Sequence, residues 1–245
     1  MSMVSHKRFL LVLTLFYAVF WVILAIDPVD RTTWVLENTL PVLFIAAMFA
    51  TYKKLLFSRI SYALIFIFLC LHTIGAHYTY SNVPYDQWFA ALTGTSLNET
   101  MGWERNHFDR LVHFSYGLLL AYPIREIFLR VADVRGFWGY FLPLDVTMST
   151  SMFYELVEWG AAMVFAGEAG MNFLGTQGDV WDAHRDMALA ALGAVIAMCL
   201  TAAINSFLQR DFAREWARSI SIKERRPLGE DELVRLWRRK NRQNR

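Results

Sequence analysis

Residues 177–193 read QGDVWDAHRDMALAALG, a stretch that begins with charged side chains and continues with small apolar ones. No proline follows Gln177 within the apolar run, so we expect a single helix here. At about 100° per residue, Asp182, Arg185 and Asp186 share one face of that helix. The alanines and glycine further along allow neighbouring helices to approach closely. We therefore expect a central helix that carries a charged cluster at its entrance.

The composition is that of a membrane protein with several helical spans. Hydrophobic residues make up 56% of the 245 residues, and the mean hydropathy is +0.29. This is too apolar for a soluble domain of that length. The apolar residues also come in long blocks. These blocks predict an all-α, polytopic membrane protein built as a six-helix transmembrane bundle.

Six apolar blocks are long enough to cross a bilayer. We predict spans at about 9–26, 34–50, 60–80, 108–129, 137–165 and 184–208. The first block has no clear cleavage site after it, which favours a retained span over a signal peptide. The spans form a transmembrane domain over residues 1–208, and a basic cytoplasmic tail follows over 209–245.

The lysines and arginines orient the spans. With the N-terminus in the cytoplasm, only four of the 24 basic residues fall in outside segments: Arg31, Arg105, Arg110 and Arg185. Cytoplasmic segments of such proteins carry the excess of basic residues. We therefore expect a multi-pass protein of a bacterial inner membrane with both termini in the cytoplasm.

The tail has the pattern of a short helix. Residues 226–240 place acidic side chains first and basic ones last, as a helix dipole prefers. Leu233, Leu236 and Trp237 share one face of such a helix. Two interpretations stay open, namely a helix bound to anionic lipid headgroups and a solvated tail that only fixes the topology. Nucleic acid is not expected as a partner.

With this topology, polar side chains of four spans come to the outer side of the membrane. Helical spacing groups them as Asp109 with His113, Glu155 with Glu158, and Asp182 with Asp186, while span three adds His72 and His77. Charges at this depth are costly, so we expect them to face each other or a wet cavity.

Carboxylates and imidazoles at helical spacing are suited to a divalent metal ion as cofactor. The candidate ligands are Asp109, His113, Glu155 and Asp186. Paired carboxylates also suit acid–base catalysis, for which the candidates are Glu155, Glu158, Asp182 and Asp186. In the structural alternative, Arg110 and Arg185 neutralise these acids and hold the bundle together.

Five segments resemble the YjdF family of bacterial inner-membrane proteins. They are LEN at 36–38, HTIGAHYTY at 72–80, DRLVHF at 109–114, YELVEW at 154–159 and QGDxWDxxxDM at 177–187. The likeness covers most of residues 1–208. It implies an inner-membrane location and this topology but no reaction, because the function of that family is unknown.

A second, partial resemblance is to VanZ-like membrane proteins, which have an acidic-basic-x-x-His-Phe entrance on one helix. Residues 109–114 match that entrance, and Glu158, Gln177 and residues 182–193 match later elements. The spacing differs from that of the VanZ-like proteins at Arg185, because Asp186 follows it directly. This resemblance implies work on the cell envelope or its lipids.

Three functions fit these observations. The first is an outward-facing, metal-dependent site that acts on a lipid or envelope precursor. The second is a small transporter or channel, in which Asp145 in the middle of span five relays protons. The third is a structural or accessory protein. For Asp145 itself we favour a satisfied core acid. Clustering at one depth favours the first function, but no GxSxG or HExxH motif occurs, so enzymatic activity is left open.

The topology can be tested with reporter fusions. Fusions after Arg59 and Arg135 should report a cytoplasmic position, and fusions near Gly94 and Gly170 should report an external one, because basic loops stay inside. Paired reporters that are active on opposite sides of the membrane provide the measurement. The reverse pattern would place the predicted site in the cytoplasm.

Overall fold

The computed structural model describes residues 3–164, 173–174, 176–223 and 229–243, and among these residues it contains helices and no strand. The helices are α1 (Met3–Leu24), α2 (Arg31–Thr51), α3 (Arg59–His77), α4 (Tyr85–Thr93), α5 (Leu97–Met101), α6 (Phe108–Val131), α7 (Trp138–Val164), α8 (Asp182–Leu208), α9 (Phe212–Ser219) and α10 (Glu230–Gln243). The all-α class is confirmed.

Four helices, α1, α2, α3 and α8, have the length and apolar composition of membrane spans. Helices α6 and α7, with 24 and 27 residues, are also long enough, but charged and polar side chains interrupt their apolar stretches. A six-span count therefore stays a prediction. Helix α3 ends at His77 rather than at residue 80, because Thr79 and Tyr80 adopt left-handed backbone angles with φ of 53° and 54°.

Helices α6 and α8 cross with their backbones in contact. A Cβ atom on Gly117 would lie 1.9 Å from the backbone oxygen of Ala190, and one on Gly193 would lie 2.2 Å from that of Phe114. Neither position has room for a side chain. Ala190 and Ala194 are fully buried at the same crossing. The small side chains of α8 thus form a tight helix interface, as their composition predicts.

Two histidines of α3 donate hydrogen bonds to backbone carbonyl groups of α2 and α1 that have no partner within those helices. Pro41 has no N–H group, so the carbonyl of Glu37, one turn earlier in α2, loses its intrahelical hydrogen bond. The Nε2–H group of His72 in α3 donates to that carbonyl at 3.0 Å. His77 donates through Nδ1 to the carbonyl of Leu24 at the end of α1, at 2.8 Å. Both histidines therefore tie α3 to its neighbours.

Helix α9 packs against the start of α7. Phe212 and Trp216, an i,i+4 pair, place their rings 6.2 Å and 5.7 Å from that of Tyr140. The packed bundle therefore continues past residue 208, where the sequence pattern places the start of the tail. The physical reason is that this aromatic pair gives α9 an apolar face.

Asp145 lies on the exposed face of α7, so its interpretation as a satisfied core acid is wrong. The buried face of the helix includes Pro143, Thr147, Ser151 and Glu155. Asp145 lies two residues, or about 200°, from Pro143 and from Thr147, which puts it on the opposite side.

The crossing predicts a strong effect of side-chain size. Gly193→Leu should destabilise the protein by about 1–3 kcal/mol or prevent folding, because its side chain meets the backbone of α6. Thermal unfolding in detergent provides the measurement. Gly160→Ala is the matched control, since a Cβ atom there meets nothing within 4 Å, and this variant should be as stable as the parent or more so. Equal melting of all three proteins would contradict the packing.

Candidate metal centre

Three helices bring acidic and histidine side chains together near one end of the bundle. Helix α6 supplies Asp109 and His113, α7 supplies Glu155 and Glu158, and α8 supplies Asp182 and Asp186. These six residues are called the acidic cluster below. Five of them are buried, and the side chain of Asp109 is 17% exposed. The convergence follows from helical spacing within each pair and from the close crossing of α6 and α8.

The centre of the acidic cluster has the dimensions of a metal site. One ligand atom each from Asp109, His113 and Asp186 lies within 4.8 Å of the others. The Nε2 atom of His113 lies 3.5 Å from Asp109 Oδ1, and its Nδ1 atom lies 3.6 Å from Glu155 Oε1. These distances are too long for hydrogen bonds. A four-coordinate ion with bonds of about 2.1 Å would hold its ligand atoms roughly 3.4 Å apart.

Two carboxylate oxygens in the acidic cluster have no hydrogen-bond partner among the described residues. They are Oε1 of Glu155 and Oδ1 of Asp186, in residues that are only 9% and 2% exposed. Buried polar atoms are almost always hydrogen-bonded. An unpaired buried carboxylate costs several kcal/mol. A proton or a bound cation would offset the cost of burying these oxygens.

Three arginines stand beside the acidic cluster, around the turn that precedes α8. Asp179 in this turn accepts from Arg110 Nη2 at 2.6 Å, from Arg105 Nη1 at 3.4 Å and from Arg185. Arg105 also donates to Asp182 at 2.6 Å, which connects the arginines to the acidic cluster. Arg105, Arg110, Arg185 and Asp179 are called the arginine cluster below.

Neighbouring charges set the protonation of two groups outside the long helices. Burial raises the pKa of the Asp179 carboxyl, but the Trp181 backbone N–H and the three arginines outweigh burial and hold that pKa below its usual range. Burial lowers the pKa of His107, and Arg110 and Arg105 lower it further. At neutral pH, Asp179 is therefore ionised and His107 is uncharged.

Glu37 of α2 adds a buried carboxyl group that the sequence pattern does not place at the site. It is 4% exposed, and its Oε2 atom accepts from the hydroxyl of Tyr154 at 3.0 Å. The ring of Tyr154 in turn packs edge-on against His113, with centroids 5.9 Å apart. A glutamate inside an apolar span is costly, and that cost is the sequence signal that could have drawn attention to Glu37.

The other polar residues predicted within the membrane lie outside the acidic cluster. His72 and His77 bond to backbone carbonyls, and Asp145 is on the exposed face of α7. Arg185 turns back to Asp179, and its side chain is 53% exposed. None of these four contributes a ligand atom to the centre of the cluster.

The donor set fits a borderline or hard divalent ion. Asp109, His113 and Asp186 offer one nitrogen and carboxylate oxygens, which suits zinc, manganese or iron, and Glu155 faces the Nδ1 atom of the same imidazole. Glu158 interacts with Glu155, and Asp182 is paired with Arg105. These two acids therefore lie beside the candidate ligands.

The comparisons with known proteins agree with the membrane architecture. The family model described as "Predicted membrane protein (DUF2238)" matches residues 9–206. The chain is also similar to the inner membrane protein YjdF of Escherichia coli (strain K12), with 36% identity over 184 residues that cover 75% of this chain and 84% of the relative. No solved structure matches. The match to the family model includes both clusters and excludes α9 and α10.

The arginine cluster predicts a loss of stability in acid. Because the folded-state pKa of Asp179 is lowered, its contribution is complete above the unfolded-state pKa of about 3.9 and is lost as the pH falls through the folded-state value. Between about pH 5 and about pH 3, the melting temperature of the parent should fall more than that of Asp179→Asn. The control is Asp133→Asn, which alters an exposed ion pair and should follow the parent. Parallel curves for all three would contradict this role.

Proposed function

The chain belongs to the DUF2238 family of predicted membrane proteins, and we propose that it binds a divalent metal ion in the acidic cluster to act on a lipid or cell-envelope precursor. In this proposal the cluster opens at the outer face of a bacterial inner membrane. The distribution of lysines and arginines supports that orientation. The similarity to an inner membrane protein supports the location.

The observation that carries the proposal is the pair of buried, unpartnered oxygens beside His113. A purely structural network places a donor against each buried oxygen, since an unpaired carboxylate destabilises the fold. Here Glu155 Oε1 and Asp186 Oδ1 have no such donor within the described part of the chain. They lie instead around an imidazole whose two nitrogens each face a carboxylate. A divalent ion bound to one of these nitrogens would satisfy the carboxylate oxygens on that side of the ring, with Asp186 in the same group of ligand atoms.

The chemistry follows from this ligand set. Asp109, His113, Glu155 and Asp186 would hold the ion, which polarises an oxygen of the substrate or makes a bound water more acidic. Glu158, next to Glu155, would be positioned to exchange a proton with the substrate. Asp182 would hold Arg105 at the mouth of the site. A membrane-embedded site at this depth meets the headgroups of lipids and of lipid-linked precursors, which supports the proposed class of substrate.

The transporter hypothesis receives less support from the fold. It relies on Asp145 as a proton relay between the acidic cluster and the other side of the membrane. Asp145 is exposed on α7 whereas Glu155 is buried, so the two acids do not lie together in the interior of the bundle.

We also propose that the tail rests on anionic lipid headgroups. Leu233, Leu236 and Trp237 are exposed on α10, at 67%, 52% and 66%. Arginines and a lysine surround them in the sequence. A helix with exposed apolar side chains and a basic polar face is typical of binding at a membrane surface.

Metal analysis of detergent-purified protein tests the function. The parent should carry close to one divalent ion per chain. Glu155→Gln and Asp186→Asn should lose the ion while their metal-free stability holds or rises, because each change relieves repulsion between buried carboxylates. Elemental analysis and thermal unfolding provide the two measurements.

Glu126→Gln is the matched control for these variants. The carboxylate of Glu126 is fully engaged, since it accepts from Ser58, Ser61 and Arg130 at the other end of the bundle. This variant should lose stability and keep the metal. A parent without metal, together with strong destabilisation of Glu155→Gln and Asp186→Asn, would establish the structural alternative instead.

A further inference from the structure

We infer that the arginine cluster is a binding site for a phosphate group, so that the substrates of the neighbouring metal centre are phosphate-bearing molecules. This inference rests on the proposed function, because it names the class of substrate for the same site. It is carried by the contacts of three guanidinium groups that the metal centre itself does not use.

The side chains of three arginines converge on a single carboxylate oxygen. Arg105 from the segment before α6, Arg110 from the first turn of α6 and Arg185 from the first turn of α8 all donate to one oxygen, Oδ2 of Asp179. A structural ion pair needs one arginine for one carboxylate. Guanidinium groups gathered from separate segments around a single oxyanion are typical of phosphate recognition.

The second observation is that donors remain after these bonds are made. Arg105 Nε, Arg105 Nη2 and Arg110 Nε are buried and have no hydrogen-bond partner among the described residues. A buried donor without an acceptor destabilises the fold. Asp179 and Asp182 already accept from the other nitrogens of these arginines. A phosphate group supplies the additional oxygens that the donors lack, and it binds in place of the Asp179 carboxylate or beside it.

The third observation is the local charge. Three arginines face two contacting carboxylates, those of Asp179 and Asp182, so the arginine cluster retains an excess positive charge. The negative charge of the acidic cluster lies close by and repels an anion until a divalent ion offsets it. Binding of metal and of phosphate should therefore strengthen each other, as linkage requires.

The two clusters are also close enough to hold one substrate. Asp182, which Arg105 contacts, lies one helical turn from Asp186, a candidate metal ligand, and four residues of helix rise about 6 Å. A phosphate group held by the arginines can thus direct an oxygen towards the ion. This arrangement fits a phosphate monoester or diester at the membrane surface.

Titration of the detergent-solubilised full chain with inorganic phosphate, with and without manganese, tests the inference. Calorimetry gives the dissociation constant. Arg105→Gln and Arg185→Gln should each weaken phosphate binding by about tenfold and leave metal binding intact. Asp179→Asn should tighten phosphate binding several-fold, because it removes the carboxylate that competes for the three arginines. A purely structural Asp179 gives no such gain.

Arg130→Gln is the control, since Arg130 is paired with Glu126 at the other end of the bundle and should bind phosphate like the parent. Arg185 is half exposed, so its variant folds even where Arg105→Gln does not. Equal phosphate affinity in the parent, Arg185→Gln and Asp179→Asn would overturn the inference, as would no binding to the parent at millimolar phosphate.

Two further measurements distinguish the possible explanations of the result. Dihexanoyl phosphatidic acid in place of inorganic phosphate distinguishes the sources of the group: tighter binding identifies a lipid phosphate, and equal binding identifies free phosphate. Metal is measured independently in every variant. A parent that binds phosphate through the arginines but carries no metal would refute the proposed function alone. A parent that carries metal while its arginine variants bind phosphate unchanged would refute the phosphate site alone.

Discussion

The contact between the backbones of α6 and α8 controls the geometry of everything else near the candidate site. Gly117 and Gly193 lie where a single methyl group would collide with the opposite helix. This approach places the first turn of α6 beside the first turn of α8. Asp109 and His113 therefore face Asp186 at distances that suit a shared ion. With ordinary side chains at the crossing, the two helices would stand further apart and their polar pairs would separate.

Pro41 of α2 influences where Glu37, the buried glutamate beside the candidate metal centre, is held. By removing an N–H group from α2, Pro41 leaves the Glu37 carbonyl free to accept from His72 of α3. The Glu37 side chain then meets Tyr154, whose ring contacts His113. His72, which the sequence places among the polar residues within the membrane, thus has a structural bond to backbone. The glutamate whose carbonyl it holds lies against the candidate metal centre.

The arginines pair with some of the acidic side chains at the site and not with others. The three arginines contact Asp179 and Asp182 at the entrance, whereas the hydrogen-bond network leaves deeper oxygens of Glu155 and Asp186 unpaired. Burial without pairing is costly, so the ion pairs with arginine stabilise Asp179 and Asp182 but leave the oxygens of Glu155 and Asp186 without compensation from the described residues. This division is the basis on which we propose separate roles for the two clusters, one for an anion and one for a metal ion.

The all-α class, the long helices and the three acidic and histidine pairs could be predicted from sequence, because apolar block length and helical spacing are local properties. Sequence did not reveal Glu37 or Arg105 at the site, since each joins it through contacts between distant segments. Nor did it place Asp145, whose exposure depends on which face of α7 packs inward. The sequence by itself determined which residues share a helix face. Only the tertiary structure decided which faces meet and which buried oxygens stay unpaired, because both depend on how closely the helices pack.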